Sequence, residues 1–378
     1  MTNDINGNVY AAGHFSFAGD FRRLNRVARW DDESKRWQPV GDGLSRNIRT
    51  LTTDTEGNLY AAGDIAGVAQ WNTDSQTWET LGSESRSGIA ALAIDGNGNV
   101  YTGDNVSGAR GMVRRWDDST EVWETLGEQF AGPVRALVTD ANGQVYASGS
   151  GFSPIPFSGF AKWNQGTARW EQVGPGLRLN PFTLVTDVDG NIYAGGNFRS
   201  AADLSGAGFQ FARWNISTEA WEAIGSGLNN GVFKVATDSL GNVYIGGGFT
   251  VAGSVSAQRV ARRNAGIERW EAMGDGFEES VFDIETDIEG NVYVVTFDRT
   301  VTSDSTEGSD GSIADESLRY VFRWDRVNNR WNRLGPSVGG AGGDSVLATD
   351  PAGQLYVCLL YTSPSPRDAT LSRMPSSA

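Results

Sequence analysis

The sequence holds very little of the chemistry from which most catalytic and metal sites are built. It has one cysteine, Cys358, and one histidine, His14. A single cysteine excludes an internal disulfide, and a single histidine excludes a His-rich metal centre. The sequence therefore predicts a protein without a bound metal or cofactor.

Positive charge and long apolar runs are also scarce. Lysine occurs only at Lys35, Lys162 and Lys234, and the formal net charge is −15. Nucleic-acid binding requires a basic footprint, so this charge balance excludes it. No apolar run approaches the roughly 18–20 residues that span a membrane. An acidic, lysine-poor surface is typical of secreted or salt-exposed proteins, so we expect an extracellular or cell-surface location, although the chain shows no signal peptide.

Tryptophan, by contrast, is abundant and occurs in pairs. In six pairs the second tryptophan follows the first after seven positions: Trp30/Trp37, Trp71/Trp78, Trp116/Trp123, Trp163/Trp170, Trp214/Trp221 and Trp324/Trp331. A seventh pair has Arg263 in the first place and Trp270 in the second. A period of roughly 40–50 residues with four short strands is the signature of a propeller blade.

Each repeat predicts four strands, which we call A to D. Strand A is an apolar run such as Val134–Val138, and a D-x-x-G-[NQ] turn follows it. Glycine supplies the positive φ of a hairpin there, while Asp bonds its own backbone. Strand B holds a tyrosine and small residues, strand C ends at the first tryptophan, and strand D begins at the second. The fold class is therefore all-β, a propeller of four-stranded blades.

The seven tryptophan-pair units predict seven blades. The chain begins at strand B of the first unit, and Ser345–Thr349 has the pattern of a further strand A. We expect this last run to complete the first blade, because closure of the ring removes exposed sheet edges. The alternative is that the chain is a piece of a longer ring or of a tandem protein.

The end of the chain departs from the repeat. Residues 358–378 break the pattern within a strand, and their back-translation resembles a sequencing-library adapter. We therefore assign one propeller domain to residues 1–357, expect it to be truncated at both ends, and treat 358–378 as a non-native tail.

Charged residues flank the paired tryptophans. If the two tryptophans face each other, the residue before the first opposes the residue after the second, giving Arg115–Glu124, Lys162–Glu171, Arg213–Glu222 and Arg262–Glu271. Opposite charges in such positions contribute ~0.2–1 kcal/mol each. For the exceptional pair we expect the Arg263 guanidinium to stack on Trp270.

The connection between strands B and C carries the variation of the repeat. The second tryptophan and the next tyrosine are 23 residues apart in six units, whereas the tyrosine and the following C-strand position are separated by 11 to 31. In an up-and-down blade the B–C and D–A loops emerge on one face, so the variation decorates that face, where repeat proteins commonly bind. The longest insert, Arg299–Leu318, is polar and acidic, and we expect it to be mobile.

These features resemble kelch-type repeats. The fifth unit shows the pattern in Tyr193, the Gly195-Gly196 doublet, Trp214-Asn215 and Trp221. The GGxFxxAG opening of the B–C loop, matched by Phe15, Phe198 and Phe249, is similar to repeats of microbial cell-surface proteins and fungal cell-polarity markers. The resemblance implies a binding scaffold more than an enzyme. The copper oxidase on the same scaffold needs Cys, Tyr and His ligands that are absent here.

Aromatic and arginine residues of the variable loops are the candidate binding residues. They are Phe15, Arg22, Arg23, Phe198, Arg199 and Phe249. Arginine is enriched at binding hot spots, so these residues can form a surface for a protein or a carbohydrate. In the simpler interpretation, which we favour, each phenylalanine fills a gap between blades and each arginine is solvated.

The D-x-x-G-N turns invite a calcium interpretation. Only Asp187-Val188-Asp189 partly fits a calcium loop, and no glutamate follows at the required distance, so turn chemistry is favoured.

We therefore predict a non-enzymatic scaffold that binds a protein or glycan through the B–C face. The alternative is a propeller lyase or hydrolase, which requires at least two carboxylates converging in the axial channel. A third possibility is a purely structural surface repeat.

Overall fold

The structure, a computed structural model, describes most of the chain. The described residues are 2–4, 8–13, 17–18, 22–31, 33–34, 36–82, 88–104, 111–140, 142–149, 159–174, 181–187, 189–196, 210–287, 289–297, 319–334, 345–349, 355–359 and 372–373. In these ranges the secondary structure is entirely β, and no helix capable of crossing a membrane is found there.

Seven four-stranded antiparallel sheets form the blades of a β-propeller, as predicted. In A–D order, blade 1 consists of β1 (Thr2–Asn3), β2 (Val9–Ala12), β5 (Val27–Asp31) and β6 (Arg36–Pro39), and blade 2 of β7 (Ile48–Thr53), β8 (Leu59–Gly63), β9 (Val68–Asn72) and β10 (Thr77–Thr80). Blade 3 consists of β11 (Ile89–Ile94), β12 (Val100–Asp104), β13 (Val113–Asp117) and β14 (Val122–Thr125). Blade 4 consists of β15 (Val134–Thr139), β16 (Val145–Gly149), β17 (Phe160–Asn164) and β18 (Arg169–Gln172).

Blades 5 to 7 continue the same order. Blade 5 consists of β19 (Pro181–Thr186), β20 (Ile192–Gly196), β21 (Phe211–Asn215) and β22 (Ala220–Ala223). Blade 6 consists of β23 (Val232–Thr237), β24 (Val243–Gly247), β27 (Val260–Asn264) and β28 (Arg269–Ala272), and blade 7 of β29 (Val281–Thr286), β30 (Val292–Phe297), β31 (Arg319–Asp325) and β32 (Arg330–Leu334). Two short hairpins, β3 (Phe17–Ala18) with β4 (Arg22–Arg23) and β25 (Val251–Ala252) with β26 (Val255–Ser256), lie in the B–C connections of blades 1 and 6.

Strand A of each blade lies at one edge of its sheet and packs against strand A of the next blade, so the A strands surround the axis. Threonine hydroxyls join several of these neighbours. Thr139 Oγ1 donates to the Ile94 carbonyl at 3.0 Å, and Thr286 Oγ1 donates to the Thr237 carbonyl at 2.9 Å. These bonds fix the height of one blade relative to the next.

The predicted closure of the ring is wrong in one respect, because blade 1 supplies its own strand A. Thr2 lies opposite Tyr10, and the turn between them makes the same bonds as the other A–B turns, with Asp4 Oδ1 accepting the Asn8 N–H at 2.9 Å. The turn places Thr2 and Asn3, the two residues that precede it, beside strand B, where they pair with Tyr10 and Val9. The Ser345–Thr349 run instead forms β33, which contacts β29 and β1 and belongs to a separate three-stranded sheet.

The other strands of that sheet are β34 (Leu355–Leu359) and β35 (Ser372–Arg373). Residues of the 358–378 tail therefore take part in strand pairing. The interpretation of the tail as adapter-derived concerns its origin and stays a prediction.

One carboxylate organises each A–B turn. In blade 6, Asp238 Oδ1 accepts the N–H groups of Leu240 and Asn242 at 3.0 and 2.9 Å. Its Oδ2 accepts the Tyr244 hydroxyl at 2.9 Å. The same tyrosine-to-aspartate bond occurs in five other blades: Tyr10–Asp4, Tyr60–Asp54, Tyr101–Asp95, Tyr146–Asp140 and Tyr293–Asp287. These bonds confirm the turn interpretation, since the carboxylate oxygens serve the hairpin.

The buried tyrosines make stability sensitive to high pH. Burial, together with repulsion from Asp238, raises the pKa of Tyr244 to about 12, against about 10 in an unfolded chain. Because the folded pKa is raised, this stabilisation is complete below about pH 10 and is lost as the pH rises towards 12. We expect urea unfolding to show a constant free energy from pH 8 to 9.5 and a fall above it. Tyr244→Phe should make that fall shallower, and an unchanged slope would contradict the assignment.

In six of the seven pairs the second tryptophan joins its blade to the preceding one. Its indole Nε1 donates to a backbone carbonyl at the end of the previous strand D, at 2.7–2.9 Å, in the pairs Trp78–Val40, Trp123–Leu81, Trp170–Leu126, Trp221–Val173, Trp270–Ile224 and Trp331–Met273. A glycine with positive φ follows each accepting residue, and a Cβ at Gly82, Gly127 or Gly174, for example, would overlap the tryptophan rings at 2.6–2.8 Å. The repeat therefore holds the ring of blades together.

The two tryptophans of a C–D hairpin lie opposite each other, as predicted, and the residue before the first lies opposite the residue after the second. Arg115 and Glu124 form an ion pair at 2.8 Å, and the corresponding pairs form in blades 5 and 6. Blade 4 differs, because Lys162 Nζ reaches Glu219 of the next blade at 3.1 Å instead of Glu171. The guanidinium of Arg263 likewise pairs with Glu268 at 3.0 Å instead of stacking on Trp270.

Candidate functional site

The B–C and D–A loops share one face of the ring, as the loop lengths predict. In blade 3 the Phe130 N–H of the D–A loop donates to the Gly111 carbonyl of the B–C loop at 2.8 Å. In blade 6 the Gly253 N–H donates to the Gly227 carbonyl at 2.7 Å, and Asn229 Oδ1 accepts the Thr250 N–H at 2.8 Å. These bonds make the loops one continuous surface, which we call the B–C face.

The structure gives different outcomes for the six predicted binding residues. Arg22 and Arg23 lie in β4 on the B–C face, opposite Ala18 and Phe17, and their side chains are outside the described part. Phe15, Phe198 and Arg199 lie outside the described residues, as does the Arg299–Leu318 insert. Phe249 is fully buried and packs with Phe211 and Trp270 between blades 5 and 6, so its ring is not presented on the surface.

A different set of residues stands at the inner edge of this face. In six blades a β-bulge interrupts the A–B ladder at the second residue of strand A. Bulges re-aim a side chain and are frequent beside functional sites. The bulged residues are Arg49, Ala90, Arg135, Phe182, Phe233 and Phe282. Because strand A lines the axis and this residue directly follows the D–A loop, the bulges surround the mouth of the central channel. We call these six residues the channel-mouth rim.

The rim has an aromatic part and a cationic part. Phe233 and Phe282 of blades 6 and 7 are partly exposed and stack across the blade boundary, with ring centroids 6.0 Å apart. In blade 2 the Arg49 side chain is 48% exposed, and its Nε donates to Asp64 Oδ1 at 2.9 Å. Arg135 of blade 4 is exposed. The rim thus offers an apolar platform and two guanidinium groups on an otherwise acidic protein.

Charged groups lie next to the aromatic part. Lys234 follows Phe233, Asp283 follows Phe282, and Lys234 Nζ is 3.6 Å from Asp283 Oδ1. Asp283 is almost completely buried, and its Oδ2 accepts the Leu347 N–H of β33 at 2.5 Å. Asp283 therefore ties strand A of blade 7 to both neighbouring inner strands.

These charges perturb one another. The attraction of Asp283 raises the pKa of the Lys234 ammonium above its usual range. Burial, with repulsion from Asp283, raises the pKa of Glu285 to about 7. Two carboxylates thus stand on strand A of blade 7, but the oxygens of Asp283 are occupied by backbone N–H groups and by Lys234. Within the described ranges, no three His, Cys, Asp or Glu residues come together in a way that could hold a metal ion.

Sequence reasoning missed the rim because strand A reads as one apolar run. A bulge leaves no direct mark in the sequence, so Phe233 and Phe282 look like ordinary core residues. The available signal was the recurrence of Arg or Phe at the second position of otherwise aliphatic strands, as in Arg49, Arg135 and Phe182.

Comparison with known proteins adds no family to this description. No protein-family model and no curated protein matches the chain. The fold and the geometry of the site therefore carry the functional argument.

Proposed function

We propose that this protein is a non-enzymatic, kelch-type propeller that binds a protein segment at the channel-mouth rim of its B–C face. The observation that carries the proposal is the stacked, partly exposed Phe233–Phe282 pair with arginines elsewhere on the same rim. Aromatic and arginine side chains dominate binding hot spots, whereas lysine and glutamate are depleted from them. The acidic, lysine-poor composition supports a secreted or cell-surface location.

The chemistry of the rim favours a ligand with two features. An apolar side chain can cover the phenylalanine platform, and a carboxylate can pair with Arg135. A sugar ring can also lie on an aromatic platform, so a glycan is the second ligand class to be tested. Backbone bonds between the B–C and D–A loops hold the surface in place, which lowers the entropy cost of binding.

A selection experiment tests the proposal. The immobilised protein is screened against a random peptide phage library and a glycan array, and the selected ligands are titrated. We expect at least tenfold weaker binding, about 1.4 kcal/mol, to a Phe282→Ser/Arg135→Ser variant. Ile267→Ser is the matched control, because Ile267 is 56% exposed on a C–D turn of the opposite face. Ligands that bind the rim variant as tightly as the unaltered protein would overturn the proposal.

The alternative function is hydrolysis or elimination in the channel, with Glu285 as general acid. In its favour, Glu285 shares strand A of blade 7 with Asp283, and burial raises the pKa of the Glu285 carboxyl to about 7, which suits a general acid. Against it, Asp283 is committed to backbone N–H groups of β29 and β33. Turnover of an array glycan that disappears in Glu285→Gln and persists in the rim variant would favour the enzyme over the scaffold.

A further inference from the structure

Asn-Gly sequences are the places where an asparagine side chain most readily reacts with its own backbone. The glycine nitrogen attacks the side-chain carbonyl carbon, and glycine has no Cβ to hinder that approach. The sequence contains Asn6-Gly7, Asn97-Gly98, Asn142-Gly143 and Asn230-Gly231. The first lies outside the described residues, and in the other three the asparagine is exposed. Because these three share one local chemistry, a difference between them comes from the fold.

In two of the three, a turn commits the glycine nitrogen to another acceptor. They lie in the A–B turns of blades 3 and 4. The Gly98 N–H donates to the Asp95 carbonyl at 3.0 Å, and the Gly143 N–H donates to the Asp140 carbonyl at 2.9 Å. This is the bond that closes a β-turn, and attack on the side chain would break it. We therefore expect both turns to protect their asparagines.

The D–A loop of blade 6 places the third pair differently. The Gly231 N–H donates to Asn230 Oδ1, the side-chain oxygen of the residue before it, at 2.7 Å. The contact brings the glycine nitrogen next to the carbonyl group that it attacks, and such preorientation accelerates a reaction between two groups of one molecule. The Gly231 N–H takes no part in the strand ladder, since β23 begins at Val232.

The backbone on both sides of Asn230 is held in this arrangement by the B–C loop of the same blade. Asn229 Oδ1 accepts the Thr250 N–H at 2.8 Å, and the Gly231 carbonyl accepts the Gly248 N–H at 2.9 Å. The Asn230 side chain itself is exposed, so water reaches it. The loop thus presents the two reacting groups together and in contact with solvent.

We propose that Asn230 is a site of spontaneous deamidation. The Gly231 nitrogen loses its proton and forms a bond to Asn230 Cγ, the Cγ–Nδ2 bond breaks, and the side-chain nitrogen leaves as ammonia. Water then opens the cyclic imide at either carbonyl and gives aspartate or isoaspartate. Either product adds a negative charge to the B–C face, shortly before Phe233 of the channel-mouth rim. An effect of this charge on ligands rests on the proposed function, whereas the modification is measured on the protein alone.

Peptide mapping by mass spectrometry tests the proposal. The native protein is aged in mildly alkaline oxygen-18 water, and conversion is followed at the three asparagines, which lie in separate tryptic peptides. We expect Asn230 to convert at least about tenfold faster than Asn97 or Asn142, a factor that orientation of the reacting groups can supply. In urea the three rates should become similar, because unfolding removes the turns and the loop. A native rate at Asn230 no higher than at the other two, or a preference that persists in urea, would overturn the proposal.

One variant separates Asn230 from its neighbour in the same peptide. The Asn229 amide is already committed, since its Nδ2 donates to Thr250 Oγ1 at 2.7 Å. Asn230→Gln keeps an amide at position 230 but requires a larger imide ring, so the mass increase of this peptide should disappear. Circular dichroism confirms that the variant is folded. A mass increase that persists in Asn230→Gln would place the reaction at Asn229 and would contradict the assignment.

Discussion

Replacing Trp170 by alanine is expected to lower the free energy of unfolding by about 3–5 kcal/mol. The Trp170 ring is buried, lies 5.4 Å from Phe130 between centroids, and donates its Nε1 to the Leu126 carbonyl of the preceding blade at 2.7 Å. Alanine removes the packing and leaves a carbonyl without its donor. Urea unfolding followed by circular dichroism measures the loss.

Two further variants separate the contributions of the indole. Trp170→Phe keeps most of the ring volume and removes the donor, so it should cost about 1–3 kcal/mol. Trp163→Arg reproduces the residue that blade 6 has at the first position, Arg263, and should cost less than half as much as Trp170→Ala. If both positions lose the same free energy of unfolding, the hydrogen bond from Trp170 to the Leu126 carbonyl does not make the second tryptophan more important than the first.

The second large effect is expected for Gly174→Ala, which should lower the free energy of unfolding by about 2–4 kcal/mol. Gly174 has φ +66°, and a Cβ there would lie 2.8 Å from Trp221 Cδ1 and 2.9 Å from Trp214 Cζ3. The positive φ costs about 1 kcal/mol, and the overlap adds a further 1–3 kcal/mol, typical of overpacking. The ring pair has little room to retreat, because Trp221 is also bonded to the Val173 carbonyl.

Two other glycines serve as controls for this prediction. Gly98 has φ +83°, and no atom lies within 4 Å of the place that an alanine Cβ would take, so Gly98→Ala should show the backbone cost alone. Gly96 has open space and lies outside the positive-φ region, so its alanine variant should be neutral or slightly stabilising. A loss at Gly174 no larger than the loss at Gly98 would mean that contact with the tryptophan pair does not restrict this position.

The sequence predicted the repeat well because its signals are local. A spacing of seven between Trp214 and Trp221 allows a tight C–D hairpin with the rings opposed. Asp238 with Gly241 likewise identifies an A–B turn without knowledge of neighbouring blades. The positions of the blades and the side of the variable loops follow from the order of the strands. Closure was harder to predict, since Thr2–Asn3 is too short to show a strand pattern and pairs only because the Asp4 turn places it.

The candidate site depends on contacts between residues that lie far apart in the sequence, and the spacing of the repeat does not predict such contacts. For Phe249 the sequence left two interpretations open, a filler between blades, which we favoured, and a binding residue on a variable loop, and its position between blades 5 and 6 buries it. Phe233 and Phe282 looked like core residues, yet a bulge leaves each partly exposed. Lys162 finds Glu219 in the next blade, a contact that depends on the angle between sheets.

The most direct test of binding at the channel mouth is site-specific photocrosslinking. p-Benzoylphenylalanine is placed at position 282 on the rim and, as the control, at position 267 on the opposite face, and each protein is irradiated with a ligand selected by phage display or on the glycan array. Binding at the rim predicts a crosslink from position 282 that excess unlabelled ligand suppresses, and none from position 267. A crosslink from position 267 alone would contradict binding at the channel mouth.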